Sequence, residues 1–137
     1  MSIQEFELTH PSGVFVSRRL SEQELVASLP SVSATRRDMK TGWVWYSLPP
    51  FPDDGVQLSL ALGFDLGALR LLQISDSNPD FGTDWGNWSE EKELARVASV
   101  AKWLSRHGWP SGRYPWGGVS AEFDPRSGSG LGGVRFA

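Results

Sequence analysis

The chain ends in GSGLGGVRFA, where Gly128, Gly130 and Gly133 spell G-x-G-x-x-G. That spacing can cradle a phosphate, because glycine lets backbone amides come close and a following helix presents its N-terminus to the anion. Such a loop needs a strand before it and a helix after it. Only VRFA follows these glycines, and no Lys-Ser or Lys-Thr pair completes a P-loop. The glycines are instead expected to give positive φ angles to a wide hairpin loop opened by Asp124 and Pro125. Arg126 then points outward or pairs with Asp124.

Other chemical constellations are thinner. His10 lies in a loop, and His107 is expected to sit at a helix end, where the dipole favours a cation. Asp76, Asn78, Asp80 and Asp84 have the types of a calcium loop but not its spacing. Phe81 stands where an EF-hand needs glycine, and Asn87 where it needs glutamate. Ser129 has Ser127 and Leu131 two residues away, so it is not in a G-x-S-x-G setting. Glu122 and Asp124 share a face by strand parity and could act as paired carboxylates; the polar face of an edge strand explains them equally. The chain has no cysteine, which removes disulfides, thiolate nucleophiles and cysteine-rich zinc sites. No catalytic, cofactor or metal set emerges, and the chain is expected not to be an enzyme.

The stronger signal is a surface. Asp76, Asp80, Asp84, Glu90, Glu91 and Glu93 stand against Lys92 alone, a local balance of −5. Phe81, Trp85 and Trp88 are interleaved with them. Acids around aromatic anchors suit a protein-binding hot spot, with the charges steering a basic partner. The candidate partner contacts are Asp76, Asp80, Phe81, Asp84, Trp85, Trp88, Glu90 and Glu91. The competing reading is that Trp85 and Trp88 tuck under their loop and pack on the following helix.

The elements that would hold these residues can be read from pattern. IQEFELTH and VFVSRRL read as two short strands about the turn HPSG. A helix follows, opened by the capping box of Ser21 and Glu24 and the staple of Leu20 and Leu25, and stopped by Pro30. Its apolar stripe is Leu25, Val26 and Leu29. SVSATRRDMKTG reads as a polar loop with the basic cluster Arg36, Arg37 and Lys40. WVWYSL is apolar on both faces, so it is either a central strand or a strand with one face kept for a partner. PPFPDDG reads as a rigid connection. VQLSLALGF alternates cleanly, and DLGALRLLQIS supplies the next strand of an antiparallel meander.

DSNPDFGTDWGNW is rich in turn formers. SEEKELARVASVAKWLSRHG then reads as a long helix, with Ser89 as N-cap and Gly108 and Pro110 ending it. Its stripe is Leu94, Val97, Ala98, Ala101 and Leu104, widened by Val100 and Trp103. Val119, Ala121 and Phe123, then Val134 and Phe136, mark two last strands. The order ββαβββαββ predicts an α+β fold: a single, mostly antiparallel sheet layer packed by two helices.

A length of 137 residues suits one domain with a single core. Charged residues at 21% and hydrophobic ones at 39% fit a soluble globular protein. The N-terminus lacks a signal-peptide pattern and no apolar run could span a bilayer, so a cytoplasmic protein without a membrane partner is expected. A formal charge of −3 argues against broad nucleic-acid binding.

The chain resembles small bacterial proteins of the immunity type, which neutralise toxins passed between cells. The resemblance rests on length, the absence of cysteine, the small α+β layout, WVWYSLP before two strands, and YPWGGVSAEFDPRSG near the end. It implies a stoichiometric inhibitor that occludes a toxin's active site, with the acidic, aromatic segment as its contact surface. The rival expectation is a small-molecule binder or minor enzyme. Its pocket would lie between the sheet and the second helix, lined by Trp43, Trp45, Trp103 and Trp116, with Arg113 or Tyr114 as polar anchors.

Overall fold

Alternation of Val56, Leu58, Leu60 and Leu62 with smaller residues produces the longest strand, and the other elements assemble on it. The structure, a computed structural model, describes residues 5–28, 34–81, 86, 88–126 and 129–136. The elements in order are β1 (Leu8–Thr9), β2 (Phe15–Val16), α1 (Glu22–Ala27), β3 (Thr35–Asp38), β4 (Trp43–Ser47), β5 (Phe51–Asp53), β6 (Val56–Asp65), β7 (Ala68–Asp76), a 3-10 turn (Pro79–Phe81), α2 (Glu90–Arg106), β8 (Gly112–Tyr114), β9 (Gly117–Asp124) and β10 (Ser129–Phe136). The fold is α+β. β1 and β2 form a small hairpin, and the other strands form one eight-stranded sheet in the order β3-β4-β6-β7-β10-β9-β8, with β5 paired to the start of β6. Every pairing is antiparallel.

The expected order lacked β3, β5 and β8. β3 carries no apolar alternation, and all four of its residues are exposed. It is a strand because the outer edge of β4 offers it a ladder, so the basic segment Arg36–Arg37 is not a loop. β5 was hidden by its prolines; Pro52 is tolerated because β5 is an edge strand. The segment PPFPDDG is therefore a strand and a turn, not a rigid connection. Asp53 pairs with Val56 across Asp54 and Gly55, both with positive φ (50° and 79°), as a two-residue hairpin loop demands.

Both helices begin as their caps require. Ser21 Oγ accepts the amide of Glu24 at 3.1 Å. The Glu24 carboxylate takes the Ser21 hydroxyl rather than its amide, and the next amide, that of Glu22, donates to the Gly67 carbonyl across the bridge between Ser21 and Ala68. Leu25 is buried while Val26 is exposed, and Leu29 and Pro30 lie outside the described residues. Ser89 Oγ accepts the Lys92 amide at 3.1 Å. At the other end of α2 the Gly108 amide reaches the Ser105 carbonyl and the Trp109 amide the Leu104 carbonyl. That is a Schellman stop, with Gly108 at φ +90°.

Cross-strand partners point to the same side of a sheet, so the register sorts the residues into two faces. Tyr46, Leu62, Leu72, Val134 and Val119 form one row, and Leu60, Ile74 and Gly132 the next. This face is the core. α2 lies across β10, β9 and β7 on it, and α1 closes it near Tyr46, whose hydroxyl donates to Glu22 Oε2 at 2.8 Å. The opposite face carries Trp45, Gly63, Leu71 and Arg135 in one row. No described helix covers it.

The terminal glycines sit differently from expectation. β9 and β10 do form a hairpin, with Asp124 opposite Ser129. Gly130, Gly132 and Gly133 are inside β10, however, and none has a positive φ. Gly128 lies outside the described residues. The reason for glycine is proximity. A Cβ on Gly130 would meet Val97 and come within 2.5 Å of the Glu93 carbonyl, and one on Gly132 would lie 2.6 Å from Val100 Cγ1. The glycines let α2 settle on the strand.

Candidate interaction surfaces

Six of the eight expected contact residues are described, and one of the six, Asp76, is not at the surface. Asp76 ends β7 on the core face and is only 3% exposed. Its carboxylate accepts the Ser99 hydroxyl at 2.6 Å and the amides of Asn78 (3.0 Å) and Gln57 (3.3 Å). A carboxylate with that many donors ties β7 to α2 and the turn, and it cannot touch a partner. Asp84 and Trp85 lie outside the described residues. Glu93, counted in the acidic balance, is also buried. It accepts the Gly130 amide at 3.0 Å and pairs with Arg96 Nε at 3.1 Å. Arg96 stands beyond the stretch that was counted. It donates to the carbonyls of Asp76 and Phe81 and lies 5.9 Å from the Phe81 ring centre. Part of the apparent negative charge is thus neutralised inside the fold.

What remains at the surface is divided between the start of α2 and the 3-10 turn, which Arg96 holds against the side of the helix. Asp80 is exposed, Phe81 half-buried, and Glu90 and Glu91 exposed in the first helical turn. Trp88 is 40% exposed, so it is not tucked fully beneath the loop. Leu94 was expected in the buried stripe but is 51% exposed. The buried line of α2 instead runs through Glu93, Val100, Trp103 and Leu104. The helix is turned so that its polar Glu93 reaches β10. Leu94, three and four residues after Glu91 and Glu90, shares their face. Periodicity alone put it inside, so pattern could not have marked it as surface.

The four tryptophans of the expected pocket lie on opposite sides of the sheet. Trp103 and Trp116 are in the core. Trp116 packs with Trp109, Tyr114 and Phe136, and the Trp103 indole donates to Asp53 Oδ2 at 2.8 Å. Trp43 and Trp45 stack on each other on the open face, with ring centres 6.2 Å apart. The Trp45 ring rests over Gly63, where a Cβ would come within 2.8 Å of it. Of the two readings of WVWYSL, one face is core and the other is open.

Both histidines have partners within the fold. His10 is buried; its Nδ1 accepts the Ser12 amide at 3.1 Å, so Nε2 donates to the Pro49 carbonyl at 2.8 Å. His107 ends α2 against the Trp103 ring and lies 3.5 Å from Asp54 Oδ2 and 3.7 Å from Asp53 Oδ2. Beside it Arg106 Nε donates to Asp54 Oδ2 at 2.8 Å. That hydrogen bond and the charge of Arg106 hold the Asp54 carboxyl below its ordinary range.

Glu122 and Asp124 are both exposed, and Asp124 accepts the Arg126 amide at 2.9 Å. Among the described residues no three His, Asp or Glu side chains converge to hold a metal ion. Nor is any described helix long and apolar enough to cross a membrane. No family model matches the chain, and no curated protein or solved structure matches it.

Proposed function

We propose that the chain is a stoichiometric protein-binding inhibitor of the immunity type, which neutralises a bacterial toxin in the cytoplasm by covering its active site. The contact surface in this reading is the start of α2: Trp88 and Leu94 as apolar anchors, with Asp80, Glu90 and Glu91 around them. The observation that carries the reading is Trp88, a large aromatic left 40% exposed beside a helix end bearing two exposed glutamates. An aromatic anchor with few rotatable bonds loses little entropy on binding, and rim carboxylates speed encounter with a basic partner.

The test is a binding and inhibition assay against the protein that the adjacent open reading frame encodes, expressed and assayed for toxicity. A one-to-one complex that abolishes toxin activity is expected. The combined variant Asp80→Lys, Glu90→Lys and Glu91→Lys should weaken binding about a hundredfold. Unchanged affinity removes this surface from the reading, and the absence of any complex removes the function.

A further inference from the structure

The open face of the sheet carries a second feature, independent of the α2 surface. Arg113 of β8 and Arg135 of β10 both pair with Gly118 of β9, one from each side. Cross-strand partners share a face, so both arginines rise from the open side about 10 Å apart at their Cα atoms, two strand spacings. Gly118 has no side chain to keep them apart. The Arg135 guanidinium lies over it, its Nη2 being 3.3 Å from where a Cβ would stand. Beside it the Ser120 hydroxyl leans over Gly133, 3.4 Å from the corresponding Cβ position. These residues and Leu71 line a shallow groove of about 350 Å³.

Neither arginine has an ion pair or hydrogen bond to its side chain among the described residues. Arg18, Arg36, Arg96 and Arg106 each have a carboxylate; of the other arginines, Arg113 and Arg135 are the two that line this one groove. Two guanidinium groups lining one groove give it a positive potential that favours a bound anion. The donors available are two planar guanidinium forks and one hydroxyl. A carboxylate has two oxygens and one charge. A phosphate monoester has three terminal oxygens and a charge near −2 at neutral pH, which matches two forks and a hydroxyl.

We infer that Arg113, Arg135 and Ser120 form a binding site for the phosphoryl group of a phosphate monoester, on the floor made by Gly118 and Gly133. Glycine is required there for close approach of the anion to the backbone. This is a different use of glycine from the G-x-G-x-x-G phosphate loop, since no helix N-terminus takes part.

The site is tested by titrating the intact protein with inorganic phosphate and with a nucleoside monophosphate, followed by amide NMR shifts. Both probes should shift the amides of residues 112–113, 118–120 and 133–135 in a saturable way. Arg113→Ala and Arg135→Ala should each weaken binding about tenfold or more, the usual worth of a charge-assisted bond. Arg135→Lys should recover part of that loss, because it keeps the charge but not the fork. Gly118→Ala should weaken binding too, by displacing the Arg135 guanidinium, and a folded amide spectrum checks each variant. Arg19→Ala, remote from the groove, should bind as the parent does.

Three results would overturn the inference: shifts that are absent or spread over every exposed arginine, glutarate binding as tightly as phosphate, or binding confined to a single-stranded oligonucleotide with steep salt dependence. The last would make the face a general polyanion surface.

Discussion

The buried Glu93 carboxylate accepts the backbone amide of Gly130 at 3.0 Å, linking the first turns of α2 to the terminal strand. The same helix lies so close that Gly130 has no room for a side chain. The glycine-rich end and the acidic start of the helix, separate features in the sequence, are two sides of one contact.

Gly130→Ala should therefore destabilise by about 2 kcal/mol or more, through overpacking against Val97 and the Glu93 carbonyl. Gly133→Ala, whose new methyl faces the open side with 3.4 Å to the Ser120 hydroxyl, should cost far less. Urea unfolding of both variants makes the comparison. Equal costs would mean that backbone freedom, not helix proximity, selects glycine in β10.

Glu93→Ala removes the acceptor of the Gly130 amide and the partner of Arg96 together. Leaving a mostly buried guanidinium without that carboxylate, with the neutral carbonyls of Asp76 and Phe81 among its partners, should cost about 3 kcal/mol. The loss should appear in chemical denaturation with an unchanged slope. A cost within the range of surface substitutions would show that water replaces the carboxylate.

Leu66 stands in the left-handed region at φ +50°, in the two-residue turn between β6 and β7, and is 86% exposed. A leucine gains little there and bears a steric cost of about 1 kcal/mol. Leu66→Asn or Leu66→Gly should raise stability by about that amount in a thermal melt. A lower midpoint would show that the exposed leucine makes a contact worth more than the strain.

Asp54 supplies a pH dependence. Its carboxyl is held below the ordinary value by the hydrogen bond and charge of Arg106. The folded state therefore binds that proton less readily than the unfolded chain does. The resulting stability is present in full above the carboxyl's unfolded value, about 3.9, and is lost as pH falls through the lowered folded value. Arg106→Ala should flatten the acid limb of the stability curve while changing little of its shape above pH 5. Identical acid limbs would show that the exposed pair contributes nothing measurable.

How much of this was legible depends on the range of each interaction. Ser21, Ser89, Gly108 and the alternation through Val56–Leu62 act within a few residues, and their elements formed where the pattern placed them. The α+β class, the β4-β6-β7 meander and the terminal hairpin follow from such local signals. β3 and β8 carry no periodic signal, because an edge strand can be polar on both faces and still complete a ladder.

The rest was decided by what came together in space. Asp76 and Glu93 have the side chains of surface residues, yet donors from Ser99, Arg96 and Gly130 make their burial tolerable. Those donors lie as far as 37 residues away in the chain. Leu94 and Val100 lie about 120° apart around one helix, and the rotation of α2 over β10 chose which faces the core. Arg113, a candidate polar anchor in the sequence, and Arg135, which the sequence did not mark, come to one face on either side of Gly118 because β8 and β10 both pair with β9 there. Composition and spacing determined the helices and the central strands, while the edge strands β3, β5 and β8 needed a neighbour's ladder. Register and helix rotation, which depend on partners distant in sequence, determined which residues are left at the surface to act.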